Sequence, residues 1–78
     1  MAIILTFQIE DLESKDAPMP HHLAGLSYTR TGYGKKIPTR RMVRLPGNPR
    51  WRRVYCAIYS NIGTCYVTVP GGDWVVIN

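Results

Sequence analysis

Three short turn motifs divide the second half of this sequence into apolar stretches of strand length. The motifs are Pro-Gly-Asn-Pro at 46–49, Ser-Asn-Ile-Gly at 60–63 and Pro-Gly-Gly-Asp at 70–73. They separate four candidate strands, at 39–45, 51–59, 64–69 and 74–77. Because each gap has the length and composition of a hairpin loop, the spacing predicts an antiparallel meander. We therefore expect an all-β fold, either an SH3-like barrel or a strongly curved sheet.

The first half of the sequence adds one strand and one irregular segment to this meander. Residues 1–9 are rich in β-forming side chains and predict an N-terminal strand. Residues 10–36 are expected to be loop-rich, because four acidic residues lie within 10–16 and Pro18 and Pro20 follow. We interpret 10–16 as a solvated loop or a single helical turn; the alternatives are an acidic screen for the arginines or a subunit contact. The 78 residues are expected to form one small domain.

Positive charge is concentrated between residues 30 and 53. This basic segment holds nine of the ten Lys and Arg residues and no Asp or Glu. The net charge of the chain is +5, so the remainder is net acidic. Cations without neighbouring acids repel one another, and an anionic partner would relieve that repulsion. Exposed charges contribute little to folding, so reversing Arg44 and Arg53 to Glu is expected to leave thermal stability nearly unchanged.

Alternation along 51–59 assigns this strand's side chains to two faces of the sheet. The predicted core side chains are Val54, Cys56 and Ile58. The opposite face and the adjacent lysines supply the predicted binding residues, which are Lys35, Lys36, Arg40, Arg44, Trp51, Arg53, Tyr55 and Tyr66. Such a mixture is typical of nucleic-acid surfaces, where cations bind phosphates and rings stack on unpaired bases, and of protein interfaces. The alternative is that the N-terminal strand covers this face and makes the rings a second core layer.

The two cysteines lie on the strands of the central hairpin. A turn through 60–63 would place Cys56 opposite Val67 and Cys65 opposite Ile58, so the two cysteines would be diagonal neighbours on the core face. Diagonal neighbours have alpha carbons farther apart than a relaxed disulfide accepts. We therefore predict that both thiols are reduced and largely buried.

Several kinds of chemistry are disfavoured by the sequence. Gly32-Tyr33-Gly34-Lys35 lacks the spacing and the following Ser or Thr of a phosphate-binding loop. His21 and His22 have no further ligands at regular spacing, so no metal and no cofactor are expected. The acids are concentrated in 10–16 rather than paired along a cleft, and we expect a protein that is not an enzyme.

The location and the assembly of the chain follow from its apolar segments. No apolar run approaches the roughly 20 residues that span a bilayer, and residues 2–7 lack the basic flank of a secretory signal. We expect a cytoplasmic protein without a membrane partner. A small core and an apolar tail at 74–77 suggest an unpaired sheet edge, which predicts a homodimer.

Three segments carry a resemblance to known proteins. They are Thr-Gly-Tyr-Gly-Lys-Lys-Ile-Pro-Thr-Arg at 31–40, Trp-Arg-Arg-Val-Tyr at 51–55 and Ser-Asn-Ile-Gly-Thr-Cys-Tyr-Val at 60–67. In them the chain resembles a group of small proteins encoded by bacteriophages and other mobile elements, mostly without assigned function. The resemblance implies a phage or prophage setting, in which very short proteins commonly bind and block a host machine; anti-CRISPR proteins are one such class.

Two functions are compatible with these observations. The first is a phage-type inhibitor that binds a host defence complex or a nucleic-acid-handling complex in the host cytoplasm. The second is a general DNA- or RNA-binding module of SH3-like type. The two hypotheses differ in whether the purified protein alone binds nucleic acid.

Overall fold

The computed structural model describes residues 6–24, 35–59 and 62–78. The strands are β1 (Thr6–Phe7), β2 (Glu13–Asp16), β3 (Ile37–Arg44), β4 (Trp51–Tyr59), β5 (Ile62–Thr68) and β6 (Trp74–Ile77). A 3-10 turn at Ile9–Asp11 is the only helical element in the described part of the chain. The predicted all-β fold is confirmed.

The last four strands form the predicted antiparallel meander. Strands β3, β4, β5 and β6 pair in sequence order, within a six-stranded sheet of order β1-β6-β5-β4-β3-β2. The turn between β5 and β6 shows why the sequence breaks there, since Gly71 and Gly72 have φ angles of 101° and 89°. Side chains with a Cβ rarely adopt such angles, so the glycines allow the tight reversal. Strand β1 pairs with β6 in parallel, which makes the sheet mixed.

Strand β2 lies inside the segment that was expected to be a loop. Its four residues are exposed, as expected of 10–16, but they pair antiparallel with β3. The register places Glu13 opposite Arg44 and Asp16 opposite Arg41. Opposite charges facing each other across strands stabilise a sheet by about 0.2–1 kcal/mol per pair. The acidic segment therefore covers the edge of the strand that carries the arginines.

The connection between β1 and β2 forces the sheet to curl. These strands occupy opposite edges of the sheet, yet only residues 8–12 separate them. In a flat sheet the two edges would lie roughly 24 Å apart. Six residue steps span at most about 22 Å when fully extended, and part of this connection is a compact 3-10 turn. The sheet consequently curls into a half-barrel, in agreement with the predicted curved sheet.

The core lies on one face of the sheet. The buried side chains that form it are Leu12, Val43, Leu45, Val54, Val67, Val75 and Ile77, with Phe7, Ile9, Cys56, Cys65 and Val69 packed against them. Val43 and Val67 have no exposed surface at all. The predicted core position of Val54 is confirmed, whereas the side chain of Ile58 lies outside the described part of the structure. A core of this size gives a domain of 78 residues only marginal stability.

Of the predicted N-terminal strand at 1–9, Thr6–Phe7 form β1, Ile9 begins the 3-10 turn, and residues 1–5 lie outside the described part of the chain. Strand β1 changes the expected edge of the sheet. Thr6 pairs with Val76 and Phe7 with Ile77. Two further hydrogen bonds extend this ladder, from Asn78 N to the Phe7 oxygen (2.9 Å) and from Ile9 N to the Asn78 oxygen (2.8 Å). The expectation of an unpaired edge at 74–77 is therefore wrong for Val76 and Ile77, which β1 covers. The homodimer stays a prediction, without this argument for it.

The expectation of free cysteines is wrong. Cys56 and Cys65 form a disulfide bond, with their alpha carbons 3.9 Å apart. The reason is the register of the hairpin, in which Tyr59 pairs with Ile62 and the cysteines are directly opposite each other. The expected four-residue turn at 60–63 is thus two residues shorter. Both side chains are half-buried against the core, on the predicted face.

The described part of the chain contains no helix with the length and apolar character that crossing a bilayer requires.

Candidate nucleic-acid interface

The sheet face opposite the core carries most of the predicted binding residues. We call it the open face and define it by Glu13, Lys15, Lys36, Met42, Arg44, Trp51, Arg53, Tyr55, Tyr66 and Trp74. The strand register assigns most of them, because directly paired residues project to the same side of a sheet. Tyr55 pairs with Tyr66, and Arg44 pairs with both Trp51 and Glu13. Lys36 precedes β3 and belongs to the face through its ring contacts.

Three aromatic rings, one each from β4, β5 and β6, gather on the open face. Tyr55 and Trp74 pack edge to face, with ring centroids 5.3 Å apart and an interplanar angle of 77°. Tyr66 lies between their strands, directly opposite Tyr55. Trp74 is 41% exposed and is the only large hydrophobic residue classed as exposed in the described part of the chain. These three rings form a cluster that reaches solvent.

A lysine lies over this cluster. The ammonium nitrogen of Lys36 is 5.1 Å from the ring centroid of Tyr66 and 5.1 Å from that of Trp74. A cation at this distance from a ring is attracted by the negative face of its π system. The structure thus brings the predicted residues Lys36, Tyr55 and Tyr66 together. It adds Trp74, which the alternation could have identified had the register been carried through the third hairpin.

A second aromatic site lies at the start of β4, at Trp51. The ammonium nitrogen of Lys15 is 4.3 Å from the ring centroid of Trp51, and the guanidinium carbon of Arg44 is 5.3 Å from it. Arg44 and Trp51 were predicted as binding residues. Lys15 was missed because it belongs to β2, whose exposed and highly charged sequence carries no alternating apolar signal.

Arg53 lies between these two aromatic sites and is held by the backbone. Its Nη1 donates to the Thr39 carbonyl oxygen at 2.8 Å, and its Nη2 donates to the Pro18 carbonyl oxygen at 3.3 Å. The residue is half-buried. The structure therefore places Arg53 on the predicted face but contradicts the premise that it is a freely exposed charge.

One acid enters the open face from β2. Glu13 forms an ion pair with Arg44; the Glu13 side chain is exposed, and Arg44 is half-buried. The alternative in which 10–16 screens the arginines is therefore supported at this one position. The residues that define the open face include one acid, Glu13. They include four cations, which are Lys15, Lys36, Arg44 and Arg53. The face remains positively charged.

Lys35 and Arg40 lie outside this paired arrangement. Both are exposed, and Lys35 lies two residues before β3. Arg40 falls between Pro38 and Met42, where the register between β3 and β4 shifts. Strict alternation does not apply across such an irregularity, so the sequence pattern could not assign a face to Arg40.

The open face is not covered by the N-terminal strand in the described part of the chain. Residues Thr6 and Phe7 extend the sheet beside β6 and do not cross it. A cleft of about 410 Å³ opens at one end of β4, where Trp51, Arg53 and Tyr55 meet Thr68 and the glycines of the following turn. Residues 1–5 lie outside the described residues, so the second-layer alternative for the half-buried Trp51, Tyr55 and Tyr66 stays an untested alternative.

The remaining candidates from the sequence are the two histidines and the glycine-lysine loop. Within residues 6–24, 35–59 and 62–78, no group of three or more His, Cys, Asp or Glu side chains could hold a metal ion. His21 and His22 are exposed. The comparison of the glycine-lysine loop with phosphate-binding loops falls mostly outside the described residues, since only Lys35 of that segment is among them.

The chain matches no family model, no curated protein and no solved structure.

Proposed function

We propose that this protein acts by binding and that its open face binds a nucleic acid, free or displayed by a nucleoprotein complex. The observation that carries the proposal is the placement of lysine ammonium groups over aromatic rings, at the half-buried Trp51 and at the half-buried Tyr66 with the exposed Trp74. Cations and flat rings are thereby combined on one surface. Nucleic acids offer the complementary pair of groups, phosphates and bases.

The charge of the open face supports an anionic partner. The lysines and arginines of the basic segment repel one another, and β2 offsets that repulsion only through Glu13 and Asp16. A polyanion would neutralise the remaining cations and release its own condensed counterions. Binding of this kind is strong at low salt and weakens steeply as salt rises.

The biological setting of the proposal is the one that the sequence resemblance implies. In a phage or prophage setting, the bound nucleic acid would belong to a host defence complex or another nucleic-acid-handling complex, and the protein would block it in the host cytoplasm. The open face needs no catalytic group for such a role, because occupying the nucleic-acid path is sufficient to inhibit.

The first test is the salt dependence of binding to labelled DNA and RNA, measured by fluorescence anisotropy. Neutralising one phosphate contact should reduce the slope of log affinity against log salt by about 0.7 for a single strand and about 0.9 for a duplex. We expect this reduction for Lys36→Gln. Arg41→Gln is the matched control, because Arg41 is exposed and donates to Ser14 at the sheet edge, away from the rings.

The outcome of this test distinguishes binding at the open face from a general attraction by the positive charge of the protein. Equal reductions of the salt slope for Lys36→Gln and Arg41→Gln would show that phosphates are neutralised by cations anywhere on the surface. That result would contradict the proposed face. A wild-type protein that binds neither DNA nor RNA at low salt would overturn the proposal. An acidic protein surface would then be the remaining type of partner, to be sought by inhibition of host complexes.

A second prediction concerns the acid on the open face. Glu13→Gln should strengthen nucleic-acid binding several-fold at low salt, because it frees Arg44 from its ion pair and removes a charge that repels phosphates. Thermal stability should change by less than about 1 kcal/mol, as is usual for an exposed ion pair. Unchanged or weaker binding by Glu13→Gln would show that Arg44 does not contact the nucleic acid.

A further inference from the structure

We infer, on the basis of the proposed function, that the open face selects single-stranded over duplex nucleic acid and holds unpaired bases at two stacking sites. Trp51 forms the first site. The cluster of Tyr55, Tyr66 and Trp74 forms the second.

The spacing of the two sites suits an extended strand. Trp51 and Tyr55 are four residues apart on β4 and on the same face, which places them about 13 Å apart along the strand. Arg53 projects between them and is fixed by the carbonyl groups of Thr39 and Pro18. A chain of nucleotides that follows β4 would therefore meet a ring, a fixed cation and a ring in turn.

The shape of the face disfavours duplex DNA. The major groove is about 12 Å wide and admits a helix or a two-stranded ribbon. This curled sheet has six strands and is therefore broader than the two-stranded ribbon that the groove admits. The aromatic rings could contact only the outside of a duplex, where the base faces are hidden by stacking. Unpaired bases, in contrast, offer their flat faces to a side chain.

Lys15 and Lys36 can each exchange a contact with a ring for a contact with a phosphate when a nucleic acid binds. In the free protein, Lys15 and Lys36 cover ring faces. A base that stacks on a ring displaces the ammonium group, which remains within reach of the adjoining phosphate. Because stacking of a base is stronger than an exposed cation–π contact, the exchange favours the bound state. The same lysine thus protects a ring in the free protein and neutralises a phosphate in the complex.

The inference is tested with single strands and duplexes of about 16 nucleotides and identical sequence, at one salt concentration. Affinity is measured by anisotropy, and stacking is followed by quenching of tryptophan fluorescence. We expect the wild-type protein to bind the single strand at least tenfold more tightly. Trp51→Ala should weaken single-strand binding about tenfold and leave the residual duplex affinity unchanged, whereas Trp51→Phe should retain most of the single-strand affinity.

The control variant is Arg41→Ala, which removes an exposed side chain at the sheet edge, outside the open face. It should leave the preference for single strands intact. Equal affinity for both nucleic acids, with Trp51→Ala weakening them equally, would overturn the single-strand inference and leave the proposed function standing. Failure of the wild-type protein to bind either nucleic acid would overturn both.

Discussion

Replacing both Cys56 and Cys65 with Ala is expected to lower the melting temperature of the protein by about 10–20 °C. The bond closes a loop across the central hairpin, between residues nine positions apart. Closure of a loop of this length stabilises a fold by about 2–3 kcal/mol through the entropy of the unfolded chain. For a domain of 60–100 residues, each kcal/mol corresponds to roughly 4–8 °C. Because the core is small, the free energy of unfolding is small, and a loss of about 2–3 kcal/mol is a large part of it.

Thermal unfolding followed by circular dichroism gives the measurement, with and without reductant. Reductant should lower the melting temperature of the wild-type protein to that of the double variant and leave the double variant unchanged. The single variant Cys56→Ala should lose nearly as much as the double variant, because either substitution removes the one bond. A wild-type melting temperature that is insensitive to reductant would contradict a stabilising disulfide.

Arg53→Met is expected to lower the melting temperature by about 10 °C. The fall is expected although the substitution removes one positive charge from a surface that carries many. The guanidinium group donates hydrogen bonds to the carbonyl groups of Thr39 and Pro18 and so ties the segment before β3 to the sheet. A hydrogen bond that involves a charged group contributes about 1.5–3 kcal/mol, which applies to the part-buried bond to the Thr39 oxygen; the exposed, longer bond to the Pro18 oxygen contributes little. Methionine preserves the apolar stem of the side chain.

Arg40→Met is the matched control for this variant. Arg40 is exposed, so the same loss of charge there should change stability by less than about 0.5 kcal/mol. A similar fall in both variants would attribute the effect to net charge rather than to the two hydrogen bonds. A negligible fall in Arg53→Met would return Arg53 to the role of an exposed cation, as the sequence analysis expected.

The meander and the composition of the open face were predictable because they depend on local signals. Turn motifs locate hairpins, and alternation along β4 separates Trp51, Arg53 and Tyr55 from Val54. The same rule identified Arg44 and Tyr66 on neighbouring strands. Such patterns need no knowledge of distant parts of the chain.

The elements that were not predicted depend on pairing with distant parts of the chain. Strand β2 has no apolar alternation and is a strand because β3 offers it an edge lined with arginines. The disulfide depends on register, and Ile62 and Gly63 were assigned to a turn although they begin β5. A shift of two residues turned a diagonal pair of cysteines into a directly opposed one. Lys15 was missed for the same reason as β2.

The disulfide also bears on where the protein remains oxidised. Disulfides persist in oxidising compartments, whereas the cytoplasm keeps most thiols reduced. A host-cytoplasmic protein would therefore lose the stabilisation that the bond provides unless the hairpin protects it. Labelling of thiols in protein taken directly from the host cytoplasm would show which form is present there.

The parallel pairing of β1 with β6 has a consequence for the newly made chain. β1 is synthesised first, yet its partners Val76 and Ile77 follow only after nearly all of the intervening sequence. At about 5–20 residues per second, the ribosome needs several seconds to produce them. During that interval Phe7 and the apolar side of the connection have no core to cover. The meander can pair as it emerges, whereas closure of the half-barrel waits for the late strand.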